Sequence, residues 1–127
     1  MILVLGGTTE GRKAIQALEA SGNIYYYSTK TGEQEVVLHH GIHISGAMTP
    51  DAMEDFCRDH SIRLLIDAAH PFAQELHQTV AHVAVSLKIP AIRFERIYSE
   101  HSSDICWIDN YTDIDLHDCT LLATTGV

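Results

Sequence analysis

The segment that most constrains the fold is the junction where the apolar run Met1–Leu5 meets Gly6-Gly7-Thr8-Thr9-Glu10-Gly11. A short, continuously apolar run suits a parallel strand covered on both faces. Glycines directly after it permit a sharp turn into a helix, whose exposed N–H groups then face an anion at close range. The expected helix runs from about Thr9 to Ser21, with Ala14, Ile15 and Leu18 on its buried face. Thr8 or Thr9 caps its start, and Gly22 suits the left-handed residue beyond its end.

The same alternation continues. Ile24–Ser28 is a second strand, Thr31-Gly32 a turn, and Val36–His39 a third strand. Thr49-Pro50 pairs a cap with a proline at the first helical position. Met53, Phe56 and Cys57 then mark one face of a helix ending near His60. Leu64–Asp67 is a buried strand, followed by a helix from Pro71 to Leu87 with Phe72, Leu76, Val80, Val83 and Leu87 inward. Ile89–Phe94 is a further strand, with Ala91 as an alternative start. Beyond Glu100 the pattern weakens: Ile105–Ile108 and Leu121–Ala123 suit strands and Thr112–His117 a helical turn. Strands alternating with helices through short connections predict an α/β fold, a Rossmann-like parallel sheet flanked by helices in three layers.

Composition bounds the partners. A chain of 127 residues with net charge −9 and no basic stretch opposes attraction to nucleic acid or to an anionic membrane surface. No apolar run approaches a bilayer-spanning length, so the expected location is the cytoplasm. Three cysteines without a CxxC pair are expected to be reduced and mostly packed. The nine histidines include His39-His40-x-x-His43, but neither carboxylate nor cysteine stands at ligand spacing beside them, and no metal is expected. His77 and His82, five apart on a helix, point to different faces.

The glycine turn has a purely structural reading as well as a phosphate-binding one, because its spacing departs from GxGxxG. The end of the second strand adds information. Dinucleotide-binding folds that take NAD place an acid there for the ribose hydroxyls. This chain has Ser28-Thr29-Lys30, with Glu33 the nearest acid. Hydroxyls and an ammonium favour a 2′-phosphate, so NADPH is the expected cofactor and NADH the alternative. Lys30 read alone is equally an ordinary exposed turn residue.

The most distinctive stretch is Asp67-Ala68-Ala69-His70-Pro71-Phe72-Ala73, at the end of a strand and hence beside the ligand crevice. Together with Gly6–Arg12 (GGTTEGR), Ser28–Gly32 (STKTG) and Arg93–Arg96 (RFER), it resembles the precorrin-6A reductase family. The likeness spans the whole chain but only the first part of such an enzyme. It implies hydride reduction of an anionic tetrapyrrole, in a cleft between a cofactor-binding domain (1–127) and a second α/β domain expected beyond this chain. It also implies that Gly6, Gly7, Thr8, Thr9 and Glu10 hold the phosphates. Ser28, Thr29 and Lys30 lie near the adenosine ribose, and Ala69, His70, Pro71 and Phe72 line the nicotinamide end. Arg12 corresponds to a family arginine facing substrate carboxylates, a task suited to guanidinium; Arg93 and Arg96 are further candidates, with pairing of Arg96 to a surface acid as the alternative. His70 is read either as a proton donor or as a structural residue at the helix start. Ile97-Tyr98 departs from the family pattern, in which proline follows RxER.

Two other functions compete with the reductase. One is a stand-alone NADP-binding sensor without turnover. The other is a different Rossmann-like enzyme, an oxidoreductase or an epimerase of sugar nucleotides, but no tyrosine has a lysine four residues on. The sequence leaves the oligomeric state open.

Overall fold

A computed structural model describes residues 1–32 and 36–97, and the account below concerns the compact unit Met1–Arg96. The elements expected beyond Glu100, with Cys106 and Cys119, lie outside the described residues, as does Glu33.

Five strands and three helices alternate in this unit: β1 (Ile2–Leu5), α1 (Thr9–Ser21), β2 (Tyr25–Thr29), β3 (Gly41–Ser45), α2 (Pro50–Asp59), β4 (Leu64–Asp67), α3 (Gln74–Leu87) and β5 (Ala91–Arg93). Every strand pair is parallel, in the order β3-β2-β1-β4-β5. β1 is central, with Ile2 opposite Tyr25 on one side and Leu64 on the other. The expected α/β sheet flanked by helices is present.

Successive side chains of a strand point to opposite faces, and here both faces are covered. Leu3, Leu5, Tyr26 and Leu65 meet Met53 and Cys57 of α2 and Val80 and Val83 of α3 in one cluster. Val4, Tyr25 and Tyr27 meet Ile15 of α1 in the other. The three consecutive tyrosines are therefore buried in alternate directions. The double covering explains why β1 and β4 are continuously apolar over most of their length.

The helix ends follow local chemistry. Thr8 caps α1 by accepting the Gly11 N–H, and Gly22 closes it in the left-handed region at φ 69°. Thr49 caps α2 by accepting the Ala52 N–H, with Pro50 in the first turn.

Two expected elements are corrected. The third strand is Gly41–Ser45, not Val36–His39. Val36 and Leu38 pack on the α1-side cluster while Val37 is exposed, an alternation that imitates a strand in an irregular segment. The last helix begins at Gln74 rather than Pro71. The Ala73 N–H donates to the His70 carbonyl in a turn, and the Pro71 carbonyl takes side-chain donors from Gln74 and His77. Phe72, expected inward, consequently sits in that turn and is 85% exposed.

Burial, aided by the Glu54 carboxylate, pushes the Cys57 thiol up to about 11. A raised folded-state value means that the neutral thiol stabilises the fold below the unfolded value of about 8.5, and that this stability is lost as pH rises towards the folded value. Urea denaturation against pH is expected to show a decline through this alkaline window that is shallower in Cys57→Ala. Identical slopes for the two proteins would contradict it.

Candidate functional site

In an open parallel sheet, the crevice lies where successive crossovers depart in opposite directions, outside the carboxyl ends of the strands. Here that point is between β1, whose crossover leads to β2, and β4, whose crossover leads to β5. A groove of about 1590 Å³ opens there. Its wall is built at and beyond the carboxyl ends of β1, β2, β3 and β4: Gly6–Thr8, Ser28–Thr31, Gly46–Pro50 and Ala69–Ala73 without Pro71, together with residues of α1, α2 and α3.

The first of these segments is shaped from below by Tyr27. Its buried hydroxyl accepts the Gly7 N–H at 3.0 Å. Burial pushes this hydroxyl above the ordinary tyrosine range, against smaller opposing pulls from the Gly7 N–H and the Arg12 charge. The ring also dictates the residue above it. A Cβ on Gly6 would lie 2.6 Å from Tyr27 Cζ, and that ring is fully buried. Gly7 follows at φ 91°, a conformation that side-chain-bearing residues avoid.

Thr8 joins the two sides of the crevice. Its Oγ1 accepts the Gly11 N–H at 3.0 Å and donates to the Ala68 carbonyl, after β4, at 2.6 Å. A hydroxyl has one proton. The Thr8 side chain is thus engaged by the scaffold, while the residue itself lines the groove. Thr9 and Glu10 belong to α1 but are not on the groove wall. The Glu10 carboxyl is held below its ordinary range, first by its own backbone N–H and then by Arg96, whose Nε donates to it at 3.0 Å. Arg96 therefore pairs with an acid of the first helical turn.

At the end of β2, Ser28 and Thr29 are buried and Lys30 is exposed. Thr29 Oγ1 donates to the Thr31 carbonyl at 2.6 Å, so the contact with His43 Nε2 at 2.8 Å is one in which the imidazole donates. His43 lies beside Tyr27 on the neighbouring strand. The Thr29 hydroxyl is consequently used internally, and Lys30 remains as the exposed polar side chain of the three. His43 was legible in the sequence only as part of the HHxxH cluster, which pointed towards metals and away from this bond.

After β4, His70 and Phe72 are exposed on the wall and touch edge to face, with ring centroids 5.1 Å apart. The Phe72 N–H donates to His70 Nδ1 at 3.2 Å, so in a neutral ring the proton sits on Nε2. Arg12 stands across the crevice on α1, also exposed and on the wall. Arg93 ends β5 and donates to both Asp67 and Glu95. His77 was not singled out for the crevice from the sequence, yet its ring bonds Asp67 and the His70–Pro71 carbonyls. His82 lies 3.8 Å from Glu54 of α2. Among the described residues no group of three or more His, Cys, Asp or Glu side chains is placed to hold a metal ion. No helix among them is long and apolar enough to cross a membrane.

The charge of the wall is opposite to that of the whole chain. Arg12 and Lys30 face the groove, with Glu75 the acidic member of the wall, in a protein of net charge −9. Such a wall favours an anionic ligand.

Two substitutions test the support beneath the turn. Gly6→Ala is expected to cost about 2 kcal/mol or more through overpacking against Tyr27. Tyr27→Phe is expected to cost about 1 kcal/mol by leaving the Gly7 N–H without its acceptor. Urea denaturation measures both, and a Gly6→Ala protein as stable as the parent would contradict the geometry.

Comparison with known proteins gives a consistent picture. A cobalt-precorrin-6A reductase of Synechocystis sp. is 35% identical over 99 residues, covering 75% of this chain and 38% of that protein. A cobalt-precorrin-6A reductase of Priestia megaterium is 31% identical, covering 76% and 38%. A precorrin-6A reductase of Rhodococcus erythropolis is also 31% identical, covering 75% and 39%. The chain thus spans about two fifths of the length of these relatives. A solved structure described as CobK precorrin-6A reductase superposes with a TM-score of 0.72 at 23% identity, over 80% of this chain and 41% of the other, a likeness in fold. The family described as "Precorrin-6x reductase CbiJ/CobK" matches residues 1–127, and the chain belongs to that family.

Proposed function

We propose that this chain is the cofactor-binding part of an NADPH-dependent reductase acting on precorrin-6A or its cobalt form, with a second α/β domain supplying the other wall of the cleft. The observation that carries the reading is the cationic groove at the crossover reversal of the sheet, inside an acidic protein. Membership of the family and the names of the relatives support the substrate class.

The residues present fit a dinucleotide. The Gly6-Gly7 turn leaves backbone bare of side chains at the crevice, where a pyrophosphate needs close approach. The cradle is narrower than Gly6–Glu10, because the Gly6, Gly7 and Gly11 N–H groups are already given to Ser28, Tyr27 and Thr8. The backbone donor at Thr8, which lines the groove, is the one assigned to phosphate. Lys30 and Thr31 are assigned to the adenosine ribose and its 2′-phosphate. Phe72 offers an aromatic surface to the nicotinamide, and the ring of His70 stands beside it.

A bound dihydronicotinamide supplies hydride, and the chain contributes orientation and charge. Reduction of a conjugated double bond of the macrocycle would take that hydride on one carbon and a proton on the neighbouring atom. His70 Nε2–H is assigned as the donor of that proton. Arg12 is assigned to a peripheral carboxylate of the substrate, which a guanidinium holds through two parallel hydrogen bonds.

Calorimetric titration tests the cofactor assignment. The parent chain is expected to bind NADPH at least about tenfold tighter than NADH, and Lys30→Ala to lose most of that preference, since a charge-assisted hydrogen bond contributes about 1.5–3 kcal/mol. A clear preference for NADH in the parent would contradict it.

A further inference from the structure

Beneath the His70–Ala73 turn lies a polar group that the reading above does not use. His77, in the first turns of α3, is 12% exposed, and Asp67, the last residue of β4, is 5% exposed. His77 Nδ1 lies 2.7 Å from Asp67 Oδ2. His77 Nε2 lies 3.1 Å from the His70 carbonyl and 3.3 Å from the Pro71 carbonyl.

Both ring nitrogens therefore face oxygen acceptors. A neutral imidazole has one N–H and serves one of them, leaving a lone pair directed at an oxygen on the other side. The ring thus bridges the end of β4 and the turn above it. Asp67 gathers further donors at this point. Its Oδ2 also accepts from Arg93 at 3.3 Å and its Oδ1 from the Ala69 N–H at 3.3 Å. A carboxylate accepts all of these, whereas a protonated acid would have to turn a donor towards one of them.

The consequence is mechanical. The His70 and Pro71 carbonyls would otherwise enter the first turn of a helix beginning at Pro71. Held by His77, they stay in a separate turn that presents His70 and Phe72 to the groove. We infer that His77, held between the Asp67 carboxylate and the His70 and Pro71 carbonyls, is a positioning residue that pins the His70–Ala73 turn from beneath and so sets the nicotinamide end of the groove. The pinning stands on the geometry alone; the link to nicotinamide rests on the proposed reductase function.

Amide hydrogen exchange in the parent chain reads the order of the turn directly, and Phe72 and Ala73 are expected to be protected. Asp67→Asn, which keeps the shape and removes the carboxylate beneath the ring, is expected to accelerate exchange at both. In His77→Gln, amide hydrogen exchange at Phe72 and Ala73 is expected to accelerate about tenfold or more. The same variant is expected to bind NADP⁺ about tenfold more weakly, yet to bind the adenosine bisphosphate half of the cofactor within about twofold of the parent. Unprotected amides at Phe72 and Ala73 in the parent overturn the inference. Unchanged exchange at Phe72 and Ala73 in His77→Gln overturns it as well. If His77→Gln fails to fold, exchange in the parent and in Asp67→Asn still decides. Failure of the parent to bind NADP⁺ would remove the cofactor reading, while the exchange rates would judge the pinning separately.

Discussion

The rest of the structure depends on the pairing of β1 with β2 on one side and β4 on the other, all parallel. Parallel pairing sends the chain back across the sheet after each strand, so every carboxyl end opens at the same rim. Because the crossovers diverge at β1, the segments after β1 and β4 become neighbours with a gap between the helices they lead into. The Thr8 hydroxyl closes the base of that gap by bonding Ala68, 60 positions away in sequence. Four segments that are remote along the chain thereby share one groove.

Maintaining that rim uses up many of the polar groups that a sequence reading would offer to a ligand. Thr8 is committed to Ala68 and Gly11, Thr29 to Thr31 and His43, and the Gly7 N–H to Tyr27. Buried polar groups need partners, and within this rim they find them in one another. Arg12, Lys30, His70 and Phe72 remain exposed on the groove wall. Committed hydroxyls hold the backbone still, and these exposed side chains meet the solvent. This division of labour preorganises the groove, which lowers the ordering cost of binding.

Much of this was legible because local and global preferences agree. The limits of α1, its Thr8 cap and Gly22 end, the Thr49-Pro50 start of α2 and the strand Leu64–Asp67 all follow from short-range chemistry. The groove segments were legible as strand ends. The misreadings arose where side chains take up backbone or space in ways residue type does not show. Val36–His39 suggested a strand, but the strand is Gly41–Ser45, at whose start the Tyr25 ring occupies the space where a side chain would stand. Pro71 suggested a helix start, but His77 and Gln74 take the Pro71 carbonyl from the side. The bonds of the Thr8 and Thr29 hydroxyls to Ala68 and His43 were not legible, because those partners are distant in sequence. Residue type shows what a group can do, whereas long-range contacts decide whether it is free to do it.

The central claim is that the rim at the β1–β4 divergence binds a nicotinamide dinucleotide. Titrating NADPH into the isotope-labelled chain and following backbone amide shifts tests it most directly. The account predicts saturable shifts concentrated at 6–9, 30–31 and 69–73, with the opposite ends of the strands, near Asn23, Arg63 and Ile89, unmoved. Shifts confined to those opposite ends, or none at saturating NADPH, would contradict it.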